Sequence, residues 1–171
     1  MSSVADSGPP IHLNQIRRLD LLALLAPLNV STQVRSELAQ TGVWTALRKV
    51  RRLDVRRHPI ANRSIETERR RWAAPQLSAA DLSVLVLARR ISRANVLTDD
   101  LRLRHCVHAL GRRAIGSVGV LVRAYRLKKI SSFQLRRAIS ELFDDSSLYL
   151  SLVFREKVLS LIKELDGASG A

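Results

Sequence analysis

The stretch SAADLSVLVLARRISRANVLTDD (Ser78–Asp100) decides how the rest of the chain is read. Ser78 is placed to cap a first helical turn, Asp81 falls at the third helical position, and Leu82, Leu85, Val86 and Leu87 form an inward stripe. Ala94 to Thr98 then reads as a buried strand that runs into Asp99 and Asp100. A helix with a carboxylate in its first turn, leading into a strand with carboxylates at its C-terminal end, is how an open parallel sheet brings acids to one edge. The pattern points to a metal site.

Outward from that stretch, α and β segments alternate and then give way to helix. Val4 and Ala5 read as a short first strand ending at Asp6, and Gly8, Pro9 and Pro10 turn the chain into a helix, because Pro is tolerated in a first turn. Leu19 to Ala26 is a short second helix stopped by Pro27, and Leu28 to Val30 a brief strand. Ser31 or Thr32 caps a helix that runs to about Gln40, carries Glu37 and stops at Gly42. Trp44 to Val55 fits either a helix or a strand, and Ile60 to Trp72 is an Arg-rich, partly helical segment. Beyond the central stretch come a helix over Leu101 to Leu110, a short strand at Ala114 and Ile115, and helices over Ser117 to Lys128, Ser132 to Phe143 and Leu148 to Leu165. The last of these has the apolar stripe Leu148, Leu152, Phe154, Val158, Leu161 and Leu165.

With 171 residues, 46% of them hydrophobic, and only seven Gly and five Pro, the chain suits one folded domain that needs no disulfide or metal staple. Cys106 is alone, so no internal disulfide forms and a reducing compartment fits. No charged leader with an apolar run is read, and the longest apolar stretch, Leu21 to Leu28, is far below the roughly 18 residues that span a bilayer. The expectation is a cytoplasmic protein without a membrane partner. Against 15 Asp and Glu stand 29 Lys and Arg, a formal charge of +14, which points to a polyanion, nucleic acid first. A general preference for Arg explains Arg over Lys but not the excess over acids.

Asp6, Glu37, Asp81 and Asp99 come from four separate elements. If the strands are parallel neighbours, Asp6 and Asp99 lie side by side at the C-terminal edge, and the set suits Mg²⁺ or Mn²⁺, which take carboxylate oxygens, keep several waters and bind substrate phosphates. Each acid also has a plainer role. Asp6 before Ser7 and Gly8 suits a turn, Glu37 an exposed helix face, Asp81 a capping box with Ser78, and Asp99 or Asp100 a cap on the next helix.

Taken together, DSGPPIHLNQIRRLDLL (Asp6–Leu22), VRSEL (Val34–Leu38), LSAADLSVLVLA (Leu77–Ala88), LTDD (Leu97–Asp100) and GSVGVLVRAYRLKKIS (Gly116–Ser131) resemble the PIN-domain family, and most closely its small stand-alone, VapC-toxin-like members. The resemblance implies a three-layer α/β/α fold around a central parallel sheet, here with a helical C-terminal part over about 132–166. It also implies a metal-dependent ribonuclease that hydrolyses RNA phosphodiester bonds as the toxin of a toxin–antitoxin pair, its catalytic acids matching Asp6, Glu37, Asp81 and Asp99. Asp6, Asp81 and Asp99 are the matching metal ligands for Mg²⁺ or Mn²⁺, with Asp100 as a substitute for the last. The expected partners are RNA, an antitoxin protein and a second copy of the chain. The alternative is a PIN-like module that has lost catalysis and serves RNA binding or protein interaction.

The Arg-dense region from Arg48 to Arg71 gives the RNA contacts, with Arg51, Arg52, Arg69, Arg70 and Arg71 as the wagered residues, weighed against a solvated face or an acidic protein partner. His105 and His108 flank Cys106 but lack a companion metal motif, so a partly buried helix face explains them better; His12 and His58 are read as structural. The aromatics Trp44, Trp72 and Tyr125 are weighed between stacking on bases beside the basic runs and core packing, and with only 4% aromatic residues core packing is the reading for at least two of them. No Gly-rich phosphate loop and no GxSxG elbow is present, which removes nucleotide-binding and serine-hydrolase readings.

Overall fold

A computed structural model describes residues 2–73, 75–149 and 151–168, without the side chains of Leu152 and of 165–168. The chain begins with β1 (Ser3–Ala5) and α1 (Gly8–Gln15), the latter entered through Pro9 and Pro10. A 3₁₀ helix over Leu19–Leu25 leads to β2 (Leu28–Ser31), α2 (Thr32–Gln40), α3 (Val43–Lys49) and β3 (Val55–His58). Next are α4 (Asn62–Trp72), α5 (Ala79–Arg90), β4 (Asn95–Leu97), α6 (Leu101–Ala109) and β5 (Ala114–Ile115). The helices α7 (Ser117–Arg126), α8 (Ser132–Asp144) and α9 (Leu152–Ala168) follow.

Five parallel strands form one sheet in the order β3-β2-β1-β4-β5. Parallel strands need crossovers, and helices supply them, so both faces are covered and the architecture is three-layered, α/β/α. β1, β2 and β4 are buried along their length, as a centre covered on both faces requires. α5 packs on all three. It is buried continuously from Leu82 to Ala88, a wider face than the stripe of leucines and valines requires. Ser83 tolerates this because its hydroxyl donates to the Ala80 carbonyl at 2.6 Å and accepts from the Ser31 hydroxyl at 2.6 Å. Ser31 caps α2 through the Val34 N–H, so one buried pair of serines ties two helix starts together. α1, α3 and α7 lie together in a second layer, and α8 and α9 extend it from α7.

Local chemistry explains most boundaries. Ser78 and Asp81 close a reciprocal capping box on α5, and Ser131 with Gln134 does the same on α8. Gly42 (φ 74°) and Gly111 (φ 66°) take the left-handed conformation that ends one element and starts another. The ambiguous segment after Gly42 resolves into both readings in succession: Val43 and Leu47 bury one face of α3, and Val55 opens the edge strand β3. The last helix begins later than the apolar stripe predicts. Ser146 and Ser147 divert the chain, with the Ser147 N–H donating to Gln15 Oε1, and the Ser151 hydroxyl accepts from the Phe154 N–H at the new start. Of that stripe, Leu148 and Val158 are buried, Phe154 and Leu161 are exposed, and the side chains of Leu152 and Leu165 lie outside the described residues. Among the described residues no helix is long and apolar enough to cross a membrane.

Candidate active site

The sheet brings two carboxylates to its C-terminal edge. β1 ends at Ala5 and β4 at Leu97, paired in register, so Asp6 and Asp99 leave the ends of adjacent strands. The Asp6 N–H still donates to the Leu97 carbonyl. The position a Cβ would take on Gly8 lies 3.7 Å from Asp6 Oδ2 and 3.8 Å from Asp99 Cβ, which puts both acids on one small space at the start of α1.

Asp6 is buried, at 7% exposure. Its Oδ1 accepts from the Ser7 N–H at 2.7 Å and its Oδ2 from the Thr98 hydroxyl at 3.0 Å. Even so its pKa is raised from 3.8 to about 7, first by burial, then by the charge of Asp81, with Glu37 adding to it; the two hydrogen bonds act in the opposite direction. Asp81 and Glu37, both half-buried, therefore direct their charge toward Asp6. Among the described residues no Lys, Arg or His pairs with Asp6.

Asp99 is held differently. Its Oδ1 accepts from the Ser117 N–H at 2.7 Å, and its Oδ2 from the Ser117 hydroxyl at 2.6 Å and from His12 Nδ1 at 2.8 Å. The carboxylate has no proton to give, so His12 carries its hydrogen on Nδ1. Asp99 also sits at the first residue of α7, where the exposed backbone N–H groups of a helix favour a negative charge. His12 thus belongs to the site and not to the core, whereas His58 is a scaffold residue. With burial, Arg56 and Arg90 lowering its pKa, its neutral ring donates from Nε2 to Asn29 Oδ1.

The four sequence-predicted acids divide accordingly. Asp6 and Asp99 share the sheet edge, while Asp81 and Glu37 act on Asp6 through their charge. Asp81 also fulfils its plainer role, since its Oδ2 accepts from the Ser78 N–H at 2.7 Å. Asp100 caps α6, its Oδ1 accepting from the Leu103 N–H at 2.7 Å, and so is spent on the helix. Among the described residues no three His, Cys, Asp or Glu side chains stand closely enough to ligate one ion together. The donor set, carboxylate oxygens with like charges gathered around a buried Asp6, has the chemistry a hard divalent ion requires, and such an ion needs only one or two protein carboxylates, completing its shell with waters and substrate phosphates. His105 and His108 are exposed rather than part of a buried face, and Cys106 is half-buried with its thiol pKa raised by burial.

The wagered RNA contacts differ in their partners. Arg51, Arg52 and Arg70 are exposed, but Arg69 pairs with Glu66, and Arg71 with the buried Glu68. Sequence reasoning missed a different basic surface. A groove of about 790 Å³ whose lining includes Asp99 is mostly apolar, with Leu101, Ile115, Val118, Val122 and Leu161, and also takes in Arg104, Arg113, Arg123, Arg126 and Lys157, with Tyr149 and Phe154 exposed along it. Among the described residues none of those five cations is in an ion pair, and the Nε of Arg123 is buried without an acceptor. Arg123 and Arg126 are three apart on α7 and share a face by spacing alone, but Arg113 and Lys157 reach it only through the fold.

A family model described as a PIN domain matches residues 2–164 of this chain, nearly its whole length. Neither the comparison with curated proteins nor that with solved structures gives a match.

Proposed function

The chain belongs to the PIN-domain family, a nuclease-type fold, and from its site we propose a divalent-metal-dependent ribonuclease that hydrolyses RNA phosphodiester bonds with Mg²⁺ or Mn²⁺. The observation that carries this is Asp6: a buried carboxylate, repelled by Asp81 and Glu37, that has no cation beside it among the described residues of a chain of net charge +14. In this reading Asp6 and Asp99 would hold the ion directly, and Asp81 would reach it through water, with the charge of Glu37 adding to the attraction. When bound, the ion supplies an activated water and neutralises charge on the scissile phosphate. Ser7 and Thr98 fix the orientation of the Asp6 carboxylate. His12 and Ser117 fix that of Asp99. The groove whose lining includes Asp99 supports RNA as the substrate, because its arginines and Lys157 stand outside ion pairs and suit backbone phosphates, while Tyr149 and Phe154 offer faces for bases. We assign the enzyme the role of a cytoplasmic toxin that an antitoxin protein restrains, on the resemblance of its motifs to the small stand-alone members of the family.

The test is cleavage of a mixed RNA pool by wild type and by Asp99→Asn across a Mn²⁺ and Mg²⁺ titration, with RNA binding recorded in parallel. The expected result is cleavage that requires the ion, vanishes in EDTA and is lost in the variant while binding persists. Equal cleavage in EDTA overturns the reading. A second reading rests on Asp99, whose carboxylate already receives three hydrogen bonds: an RNA-binding module without catalysis, which binds the pool and cuts none of it.

A further inference from the structure

Three arginines from three elements converge at the edge of the sheet away from the groove. Arg35 on α2, Arg48 on α3 and Arg57 on β3, together with Trp44 and Val55, line a pocket of about 300 Å³. The Arg35 guanidinium lies over the Trp44 ring, 5.8 Å from its centroid, and Arg35 Nε is buried without an acceptor. Among the described residues none of the three arginines is in an ion pair.

Like charges around one pocket repel, and a buried N–H without an acceptor is itself unfavourable. A multiply oxygenated anion relieves both, and a phosphoryl group matches several guanidinium forks at once. The location gives that phosphate a source. Arg57 is in register with Val30 and Val30 with Ala5, the residue before Asp6, so the pocket's strand crosses the sheet at the level of the acidic site. Two interstrand spacings of about 4.8 Å put the Arg57 backbone roughly 10 Å from that of Ala5, a span of a few nucleotides of single strand.

We propose that Arg35, Arg48 and Arg57 form a phosphate-binding subsite that holds a second phosphodiester of the RNA strand whose cut site lies at Asp6. The strand assignment rests on the ribonuclease reading; the phosphate site does not.

Trp44 fluorescence reports occupancy. In EDTA, wild type is titrated first with inorganic phosphate and then with a short single-stranded oligoribonucleotide, and compared with Trp44→Phe and with the double variant Arg48→Gln/Arg57→Gln. Both substituted arginines are exposed, so the variant keeps the core, and thermal unfolding checks it. The expected result is a saturable change with both probes, absent in Trp44→Phe and weakened about tenfold or more in the double variant. The salt dependence of oligonucleotide binding should also become shallower, by about 0.7 in log–log slope for each phosphate that the variant no longer holds. No saturable change with either probe overturns the subsite. Phosphate binding with an oligonucleotide affinity and salt slope that the double variant leaves unchanged overturns the strand assignment and leaves a site for a free phosphoanion. Oligonucleotide binding that depends on these arginines, without cleavage when Mn²⁺ is added, upholds the subsite and counts against the ribonuclease reading alone.

Discussion

Glu68 and Asp6 are both buried carboxylates, at 4% and 7% exposure, and the chain treats them in opposite ways. Glu68 on α4 accepts from Arg71 at 3.0 Å and Arg89 at 2.9 Å on one oxygen and from the Trp72 indole N–H at 2.9 Å on the other. Asp6 receives one backbone N–H and one hydroxyl, and its charged neighbours have its own sign. With 29 Lys and Arg in the chain, cations are not scarce. The difference separates a carboxylate that joins α4 to α5 from one that, among the described residues, has no cation beside it.

The largest effect expected from breaking this contrast is at Asp6. Its folded-state pKa, about 7, lies above the ordinary 3.8, so the folded chain binds that proton more tightly than the unfolded one. Stability therefore falls as pH rises from about 4 to about 7, and the whole penalty stands above that range. Asp6→Asn should remove the slope and raise stability at pH 8 in EDTA by on the order of 3 kcal/mol, read from urea unfolding. Mn²⁺ should stabilise the wild type by mass action and leave the variant unmoved. An equal Mn²⁺ shift in both proteins would show that Asp6 is not a ligand.

At Glu68 the sign reverses. Glu68→Gln leaves Arg71 and Arg89 without their carboxylate while keeping the shape of the side chain. The two guanidinium groups are partly exposed, 48% and 35%, so water takes up some of the loss. The expected destabilisation is about 2 kcal/mol, with no response to Mn²⁺. A variant as stable as wild type would mean that this cluster contributes no more than a surface ion pair.

What the sequence discloses of these two acids follows from how local their determinants are. Asp6 and Asp99 could be read because the period of a buried strand and its C-terminal end are written in consecutive residues, as are the Ser78–Asp81 capping box and the left-handed glycines at 42 and 111. The spacing of Glu68 and Arg71 also shows an i,i+3 pair, but Arg89 arrives from α5 and turns an exposed-looking Arg-rich helix into a buried junction. That is why the buried acid under this run could not be read from it, although Arg70 and Arg71 themselves stay exposed. The partners of Asp99 were hidden for the same reason: His12 is 87 positions away and Ser117 is 18, and neither lies in a motif that announces a hydrogen bond. The five cations of the groove come from α6, the approach to β5, α7 and α9, which only the packing of the C-terminal helices brings together.

The smallest expected effect sharpens the comparison within the site itself, between Asp6, which has few donors, and Asp99, which has three. Gly116 precedes α7 with an ordinary φ of −87°, so its backbone does not require glycine. A Cβ there would nevertheless stand 2.6 Å from Asp99 Oδ1 and 3.2 Å from an Arg104 guanidinium nitrogen. Asp99 cannot swing aside freely, because Ser117 and His12 pin both of its oxygens. Gly116→Ala should therefore detach the carboxylate from the Ser117 N–H, with a stability loss of about 1 kcal/mol. If Asp99 holds the proposed ion, RNA cleavage should also fall by about tenfold or more, the scale expected when the groups orienting a metal ligand are disturbed. The pH slope that belongs to Asp6 should survive. If cleavage and the Asp6 slope are lost together, the two carboxylates form one rigid unit; if neither moves, the three donors on Asp99 do not position it for the reaction.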